Sequence, residues 1–151
     1  MYNVEVSHAK HKVYKIRYHI VIVVKYRKKV LYPDDRISFL KYILSEISKR
    51  YDIIFETVGT DGDHVHLFVN AAPKYSPSQI IHITKGITAK EIRKEFPEIK
   101  ENLWGGEFWS DGGYIGTVED EVTATVIRNY ILRQGSEDEK RGYKQFKLSD
   151  F

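Results

Sequence analysis

Residues 53–70 read IIFETVGTDGDHVHLFVN and decide the fold, because they contain two strand-like segments joined by a turn. Strands are predicted at residues 53–58 and 64–70, both of which are rich in β-branched and aromatic side chains. The Asp-Gly pair in the connecting residues 60–63 is typical of a tight β-hairpin. Side chains two apart on a strand point to the same face, so the second strand presents its two histidines side by side.

The segment before this hairpin, residues 13–25, predicts a central strand of the same sheet. Its first half alternates polar and apolar side chains, and its second half is apolar on both faces, which is typical of a strand with neighbours on either side. One face carries Tyr14, Ile16, Tyr18, Ile20, Ile22 and Val24, and the other carries Lys15, Arg17, His19, Val21 and Val23.

Two helices are predicted on either side of the hairpin. Apolar residues recur at helical spacing after Pro33, which indicates an amphipathic helix ending near Arg50. The second helix begins at Ser76-Pro77-Ser78-Gln79, which combines a capping serine with proline and glutamine at favoured positions. It stops before Pro97.

The C-terminal part predicts one more strand and one more helix. A Gly- and Trp-rich stretch, residues 104–116, is expected to hold a strand around Tyr114-Ile115. Thr117, with Asp120 three residues later, is expected to cap a last helix that runs to Gln134.

The element order is therefore β-α-β-β-α-β followed by an extra helix. This order predicts an α+β, ferredoxin-like fold: an antiparallel sheet with helices packed on one face and the other face left free. Without a linker or repeat, residues 1–151 are expected to form one domain, with a core at about 13–134 and a charged tail at 135–151.

The composition narrows the class of protein. The formal net charge is +3, but residues 1–60 hold twelve Lys and Arg against six Asp and Glu, and the remainder has a small acidic excess. The absence of cysteine excludes disulfides and Cys-based zinc sites. No apolar run approaches the ~20 residues of a membrane span, and we expect a cytoplasmic protein with no membrane partner.

The histidine pair, His64 and His66, is a natural half of a divalent-metal site. Asp61, Asp63 and Gln134 are candidate oxygen ligands, and two imidazoles with one oxygen would suit a catalytic Mg²⁺ or Mn²⁺ ion. The alternative is a pair of partly buried, hydrogen-bonded histidines.

Tyr130 and Gln134 are spaced i,i+4 on the last helix and so share a face. Each has a plain structural explanation: Tyr130 as a core aromatic residue, and Gln134 as a solvated residue at a helix end.

Six short motifs, in this order and spacing, resemble the single-tyrosine transposases of small insertion sequences, a branch of the His-hydrophobic-His (HUH) nucleases. They are Tyr18-His19-Ile20-Val21, Lys25-Tyr26-Arg27, Asp63-His64-Val65-His66-Leu67, Lys85-Gly86, Phe108-Trp109-Ser110 and Tyr130-Ile131-Leu132-Arg133-Gln134. One departure is the acidic segment at residues 117–121, where relatives often have a glycine.

The resemblance implies that His64, His66 and Gln134 bind the metal and that Tyr130 is the nucleophile. It implies cleavage and rejoining of single-stranded DNA beside a hairpin at the element's ends, through a covalent 5′-phosphotyrosine and without a nucleotide cofactor. It also implies a homodimer with active sites shared between subunits. Candidate phosphate contacts are Arg17, Lys25, Arg27, Lys28, Lys29 and Lys85.

Two other functions are compatible with the residues alone. One is a non-catalytic ferredoxin-like module that binds nucleic acid through exposed aromatic and basic side chains. The other is a metal-dependent phosphodiesterase in which the histidines activate a water and no covalent intermediate forms.

Overall fold

A computed structural model describes residues 7–9, 12–103 and 107–134 of the chain. Short 3₁₀ segments lie at Lys25–Arg27 and Pro97–Asn102. The strands and helices, in chain order, are β1 (Ser7–Ala9), β2 (Lys12–Tyr14), β3 (Arg17–Val24), α1 (Asp34–Arg50), β4 (Ile53–Thr60), β5 (His64–Ala71), α2 (Pro77–Glu95), β6 (Trp109–Thr117) and α3 (Glu121–Leu132).

The main sheet has four antiparallel strands in the order β4-β5-β3-β6. The two central strands, β5 and β3, are buried along all eight of their residues, and the central position predicted for β3 is confirmed. The element order β3-α1-β4-β5-α2-β6 confirms the ferredoxin-like fold. Strands β1 and β2 pair with each other in a separate small hairpin.

Helices α1 and α2 cover one face of the sheet and form the main core with it. The side chains of β5 that point to this face are Val65, Leu67, Val69 and Ala71, and they pack against apolar residues of both helices. The predicted capping box of α2 is present, because the backbone N–H of Gln79 donates to Ser76 and the backbone N–H of Ser76 donates to the Gln79 side chain.

The opposite face of the sheet is not free, and in this respect the expectation from the element order is wrong. Helix α3 lies across β4 and β5 on that side. A second buried cluster forms there from Phe68, Val118, Ala124, Ile127, Tyr130 and Ile131. Because the last helix is amphipathic, it needs an apolar surface, and Phe68 on β5 provides one.

Several boundaries differ from those predicted. Thr117 is the last residue of β6, paired with Tyr18, and the cap of α3 is Asp120, whose carboxylate accepts the backbone N–H of Thr123 at 2.7 Å. Helix α3 ends at Leu132, so Gln134 lies in the turn that follows. The predicted long first strand is divided between β2 and β3, and β6 starts earlier than expected, at Trp109.

Within the described residues, no helix is both long enough and apolar enough to cross a bilayer. The predicted charged tail, residues 135–151, lies outside the described residues.

Gly59 on β4 lets α3 approach the sheet closely. A Cβ atom at this position would overlap the backbone carbonyl oxygen of Ile131, deep inside van der Waals contact. Backbone cannot move aside as a flexible side chain can, so any larger residue must displace α3.

Replacing Gly59 with Ala is therefore expected to lower the free energy of unfolding by about 1–3 kcal/mol, as overpacking does elsewhere. Urea denaturation would measure the loss. Gly86→Ala on α2 is the control, because a Cβ there meets nothing within 4 Å. An unchanged midpoint for Gly59→Ala would show that α3 does not pack on β4 in this way.

Candidate active site

The site forms on the face of the sheet that α3 covers. Strand β5 directs His64 and His66 to this face, as the two-residue spacing predicts, and α3 brings Tyr130 onto them. The ring centroids of His64 and His66 are 4.9 Å apart, and those of His66 and Tyr130 are 5.2 Å apart, both in edge-to-face geometry.

His64 is held by groups on both of its ring nitrogens. Its Nδ1–H donates to the Asp63 carboxylate at 2.6 Å, and its Nε2 lies 3.2 Å from Oε1 of Gln134. The Gln134 amide nitrogen donates to the backbone carbonyl of Tyr130 at 3.2 Å, which turns the amide oxygen toward His64. Gln134 therefore reaches His64, from the turn after α3 rather than from the helix itself.

This donor set fits a bound cation. With its proton held at Nδ1 by Asp63, a neutral His64 presents a lone pair to the Gln134 oxygen, so two acceptors face each other. A cation bound by both atoms would satisfy the two acceptors. Asp63 is engaged with the ring and acts as an orienting partner, which is the usual arrangement around metal-binding histidines.

Gln134 is the third candidate ligand beside the two histidines. Within residues 7–9, 12–103 and 107–134, no three His, Cys, Asp or Glu side chains converge in a way that could hold a metal ion. The candidate protein ligands are therefore His64, His66 and Gln134, and the amide supplies the third position without adding negative charge.

His66 is suited to binding a metal because it is held neutral. The side chain is 1% exposed, and burial, followed by the neighbouring His64 and His19, lowers its pKa well below the ordinary value. The neutral imidazole is the form that binds metals.

His19 belongs to this cluster, although we did not predict it as a site residue. Its Nε2 lies 3.1 Å from Nδ1 of His66, and the two rings stack with centroids 5.3 Å apart. Burial lowers the pKa of His19 to about 4, so this ring is also neutral near pH 7. One of the two facing nitrogens carries a proton, and if that nitrogen is Nδ1 of His66, its Nε2 is left with a lone pair.

The signal for His19 lies in strand pairing. His19 lies opposite Phe68, and Val21 lies opposite His66, which makes His19 the diagonal neighbour of His66 across β3 and β5. The sequence alone indicated that His19 lies on the polar face of its strand. It did not indicate how β3 pairs with β5, which is what places His19 beside His66.

Tyr130 is both a core aromatic residue and a neighbour of the histidine pair. It is 2% exposed and belongs to the buried cluster beneath α3, as a core aromatic residue would. Its ring also contacts His66 directly.

Two arginines fasten α3 to the sheet. Arg17 on β3 donates to Glu121 at 2.7 Å, and Arg128 on α3 donates to Glu56 at 2.8 Å. Both guanidinium groups also lie near the Phe68 ring, at 5.8 and 4.7 Å from its centroid. These contacts position the helix that carries Tyr130.

The candidate phosphate contacts are not all on one surface. The Arg17 side chain is 0% exposed and paired with Glu121, so we assign it to the packing of α3 rather than to DNA. Lys25 pairs with Glu107 at 2.9 Å, and Lys85 donates to the Ser110 carbonyl at 2.8 Å while burial lowers its pKa.

The other three candidates, Arg27, Lys28 and Lys29, are exposed. Their loop is tied to the turn before His64, because Val24 N–H donates to Asp63 O at 2.8 Å and Leu31 N–H donates to Gly62 O at 3.0 Å. The exposed cations thus lie at the end of the two central strands, where β3 ends and the histidine strand β5 begins.

Comparison with known proteins indicates the family of this chain. A family model described as IS200-like transposase matches residues 12–134. The chain is 35% identical over 122 residues to the ISDra2 transposase TnpA of Deinococcus radiodurans, covering 81% of this chain and 86% of that protein. It is 28% identical over 128 residues to the transposase for insertion sequence element IS200 of Salmonella typhimurium, covering 85% and 82%.

Solved structures share the fold. A candidate transposase from Deinococcus radiodurans superposes with a TM-score of 0.67 at 31% identity, covering 86% of this chain and 98% of that one. A REP-associated tyrosine transposase bound to a REP hairpin has a TM-score of 0.59 at 12% identity, covering 96% and 79%, and supports the fold alone. With a family model spanning most of its length, this chain belongs to the IS200-like transposases.

Proposed function

We propose that this transposase cleaves and rejoins single-stranded DNA at insertion-sequence ends, with Tyr130 as nucleophile and His64, His66 and Gln134 as ligands of Mg²⁺ or Mn²⁺. The observation that carries the proposal is the meeting of these four side chains between β5 and α3, with His64 against Gln134 and His66 against Tyr130. A bound divalent ion would neutralise charge on the nonbridging oxygens of the scissile phosphate.

Tyr130 performs the covalent step. Its phenolic oxygen bonds to phosphorus as the bond from phosphorus to the 3′ oxygen breaks; the phenol loses its proton and the departing 3′ oxygen gains one. The product is a 5′-phosphotyrosine beside a free 3′-OH. Because one phosphodiester replaces another, a second 3′-OH can reverse the reaction, and no nucleotide cofactor is needed.

The remaining residues hold this arrangement. The Gln134 side chain is hydrogen-bonded to the backbone carbonyl of Tyr130. The position of the proposed metal ligand and that of the proposed nucleophile are therefore coupled within one short segment. Asp63 and His19 orient the two histidine rings, as outer-shell partners do around metals. The neutral amide of Gln134 suits an anionic substrate better than a carboxylate would.

We further propose a DNA hairpin as the recognised element, a homodimer as the working assembly and the cytoplasm as its location. The hairpin is proposed by analogy, since a protein of the same fold is itself bound to a REP hairpin. Within this chain Tyr130 meets the histidines of the same polypeptide. A dimer with shared sites would place the same contacts between subunits by exchanging α3.

The test uses single-stranded oligonucleotides that span the ends of the insertion sequence encoding this chain. With Mn²⁺ or Mg²⁺ we expect site-specific cleavage beside a hairpin, and EDTA is expected to abolish it. The same DNA annealed to its complement is the control and is expected to remain intact. Binding without cleavage in either metal would favour a non-catalytic DNA-binding module.

A further inference from the structure

Two consecutive residues after β3 adopt a left-handed backbone conformation that side chains rarely accept. Tyr26 has φ 60° and ψ 16°, and Arg27 has φ 53°. Glycine or asparagine takes this conformation more readily, and strained residues of other types concentrate at functional sites. An aromatic side chain in this conformation therefore calls for a reason that the backbone alone does not supply.

The surrounding structure holds this turn in place. Lys25 N–H donates to Phe108 O at 2.8 Å, and the chain on either side is bonded to the turn before His64 through Val24 and Leu31. Backbone hydrogen bonds therefore fix the chain both before and after the turn.

The Tyr26 ring is not part of the core. The residue is 58% exposed, whereas Tyr18 and Tyr130 are 7% and 2% exposed. One cation lies beside it, with Lys25 Nζ 5.8 Å from the ring centroid. The next three residues along the chain, Arg27, Lys28 and Lys29, are basic and exposed. Exposed aromatic rings beside positive charge are the means by which proteins hold single-stranded nucleic acid, with bases on the rings and phosphates on the cations.

The turn lies within reach of the histidine site. Val23 pairs with His64 across the sheet, and Tyr26 follows only three residues later, a span of at most ~10 Å along the chain. DNA whose phosphate lies at His64 would therefore have neighbouring nucleotides near the Tyr26 ring.

We propose that Tyr26 is a stacking platform for one base of the single-stranded segment next to the cleaved phosphate, with Arg27, Lys28 and Lys29 contacting the adjoining phosphates. This inference rests on the proposed function and adds to it a site for an unpaired base.

Equilibrium binding in EDTA tests the platform without cleavage. The probe is a fluorescent oligonucleotide carrying one insertion-sequence end, together with a series in which each single-stranded nucleotide in turn is abasic. Wild-type protein is expected to lose roughly 5- to 150-fold in affinity at one abasic position near the cleavage site, the range that corresponds to one stacked base.

The matched variants separate the ring from the turn. Tyr26→Asn keeps a residue that tolerates the left-handed conformation but removes the ring. It is expected to bind the intact probe as weakly as wild type binds the critical abasic probe, and to show no further loss with that probe. Tyr26→Phe is expected to bind like wild type, as is Tyr42→Asn, which alters a tyrosine of similar exposure on α1.

Unchanged affinity of Tyr26→Asn would overturn the platform and leave the proposed function intact. Uniform binding of wild type across the abasic series would overturn it as well, independently of how any variant folds. Failure of wild type to bind the single-stranded probe at all would reject the platform and the proposed function together.

Discussion

Tyr130→Phe is expected to abolish cleavage and the covalent protein–DNA adduct, with a loss of at least about 10⁴-fold in rate, as is typical when a nucleophile is removed. The substitution deletes only the hydroxyl. The ring remains to fill the cluster around Phe68 and to contact His66, so the fold and DNA binding are expected to survive. Denaturing gels of labelled DNA would measure both cleavage and adduct.

Tyr114→Phe is the matched control. Tyr114 also contacts the histidine cluster, with its ring centroid 5.6 Å from that of His19. Its variant is expected to retain cleavage and adduct. Loss of the adduct in Tyr114→Phe, with retention in Tyr130→Phe, would show that the nucleophile is Tyr114 and not Tyr130.

The Tyr130→Phe variant also tests whether active sites are shared between subunits. Mixing Tyr130→Phe with His64→Ala is expected to restore cleavage if subunits of a homodimer exchange α3, because one of the two sites then holds an intact histidine pair and an intact tyrosine. No recovery would mean that each site is completed within one chain.

His66→Ala is expected to weaken Mn²⁺ binding by at least about 100-fold, because it removes one of the three proposed protein ligands rather than an outer-shell partner. His19→Ala leaves the ligands in place but removes the partner of the His66 ring, and is expected to weaken binding by about 10- to 100-fold, the usual effect of an outer-shell partner. Titration followed by the electron paramagnetic resonance signal of free Mn²⁺ would measure both.

His82→Ala provides the control, since His82 is exposed on α2, on the opposite side of the sheet. Its Mn²⁺ affinity is expected to equal that of wild type. Wild-type affinity in His66→Ala would place the ion elsewhere, and wild-type affinity in His19→Ala would leave His19 a packing residue only.

The features set by local spacing were predictable from the sequence. The two-residue period of β5 placed His64 and His66 on one face, and the capping signals at Ser76 placed the start of α2. These patterns depend on neighbours within a few residues, so the chain itself displays them.

Features that depend on contacts between distant segments were not predictable in the same way. His19 joins the site through the register of β3 against β5. Helix α3 covers the second face because it packs on Phe68 and because Gly59 has no side chain to block its approach. Arg17 looked like a surface cation until the structure placed Glu121 beside it. In each case the decisive partner is distant in sequence, for example 47 residues away for His19 and 104 for Arg17.

Asp63 shows the same limit at short range. It was a reasonable candidate ligand from its position beside His64, but its carboxylate is engaged by the Nδ1–H of that ring. The type of residue indicated a metal site, whereas its role within the site depended on side-chain geometry.

Mapping the covalent linkage tests the central claim most directly. Wild-type protein would be incubated with single-stranded element ends and Mn²⁺, digested with trypsin and nuclease, and analysed by mass spectrometry. We predict a nucleotide joined through its 5′ phosphate to Tyr130, in the tryptic peptide of residues 129–133. Cleaved DNA without any adduct, or an adduct on another residue, would contradict the account.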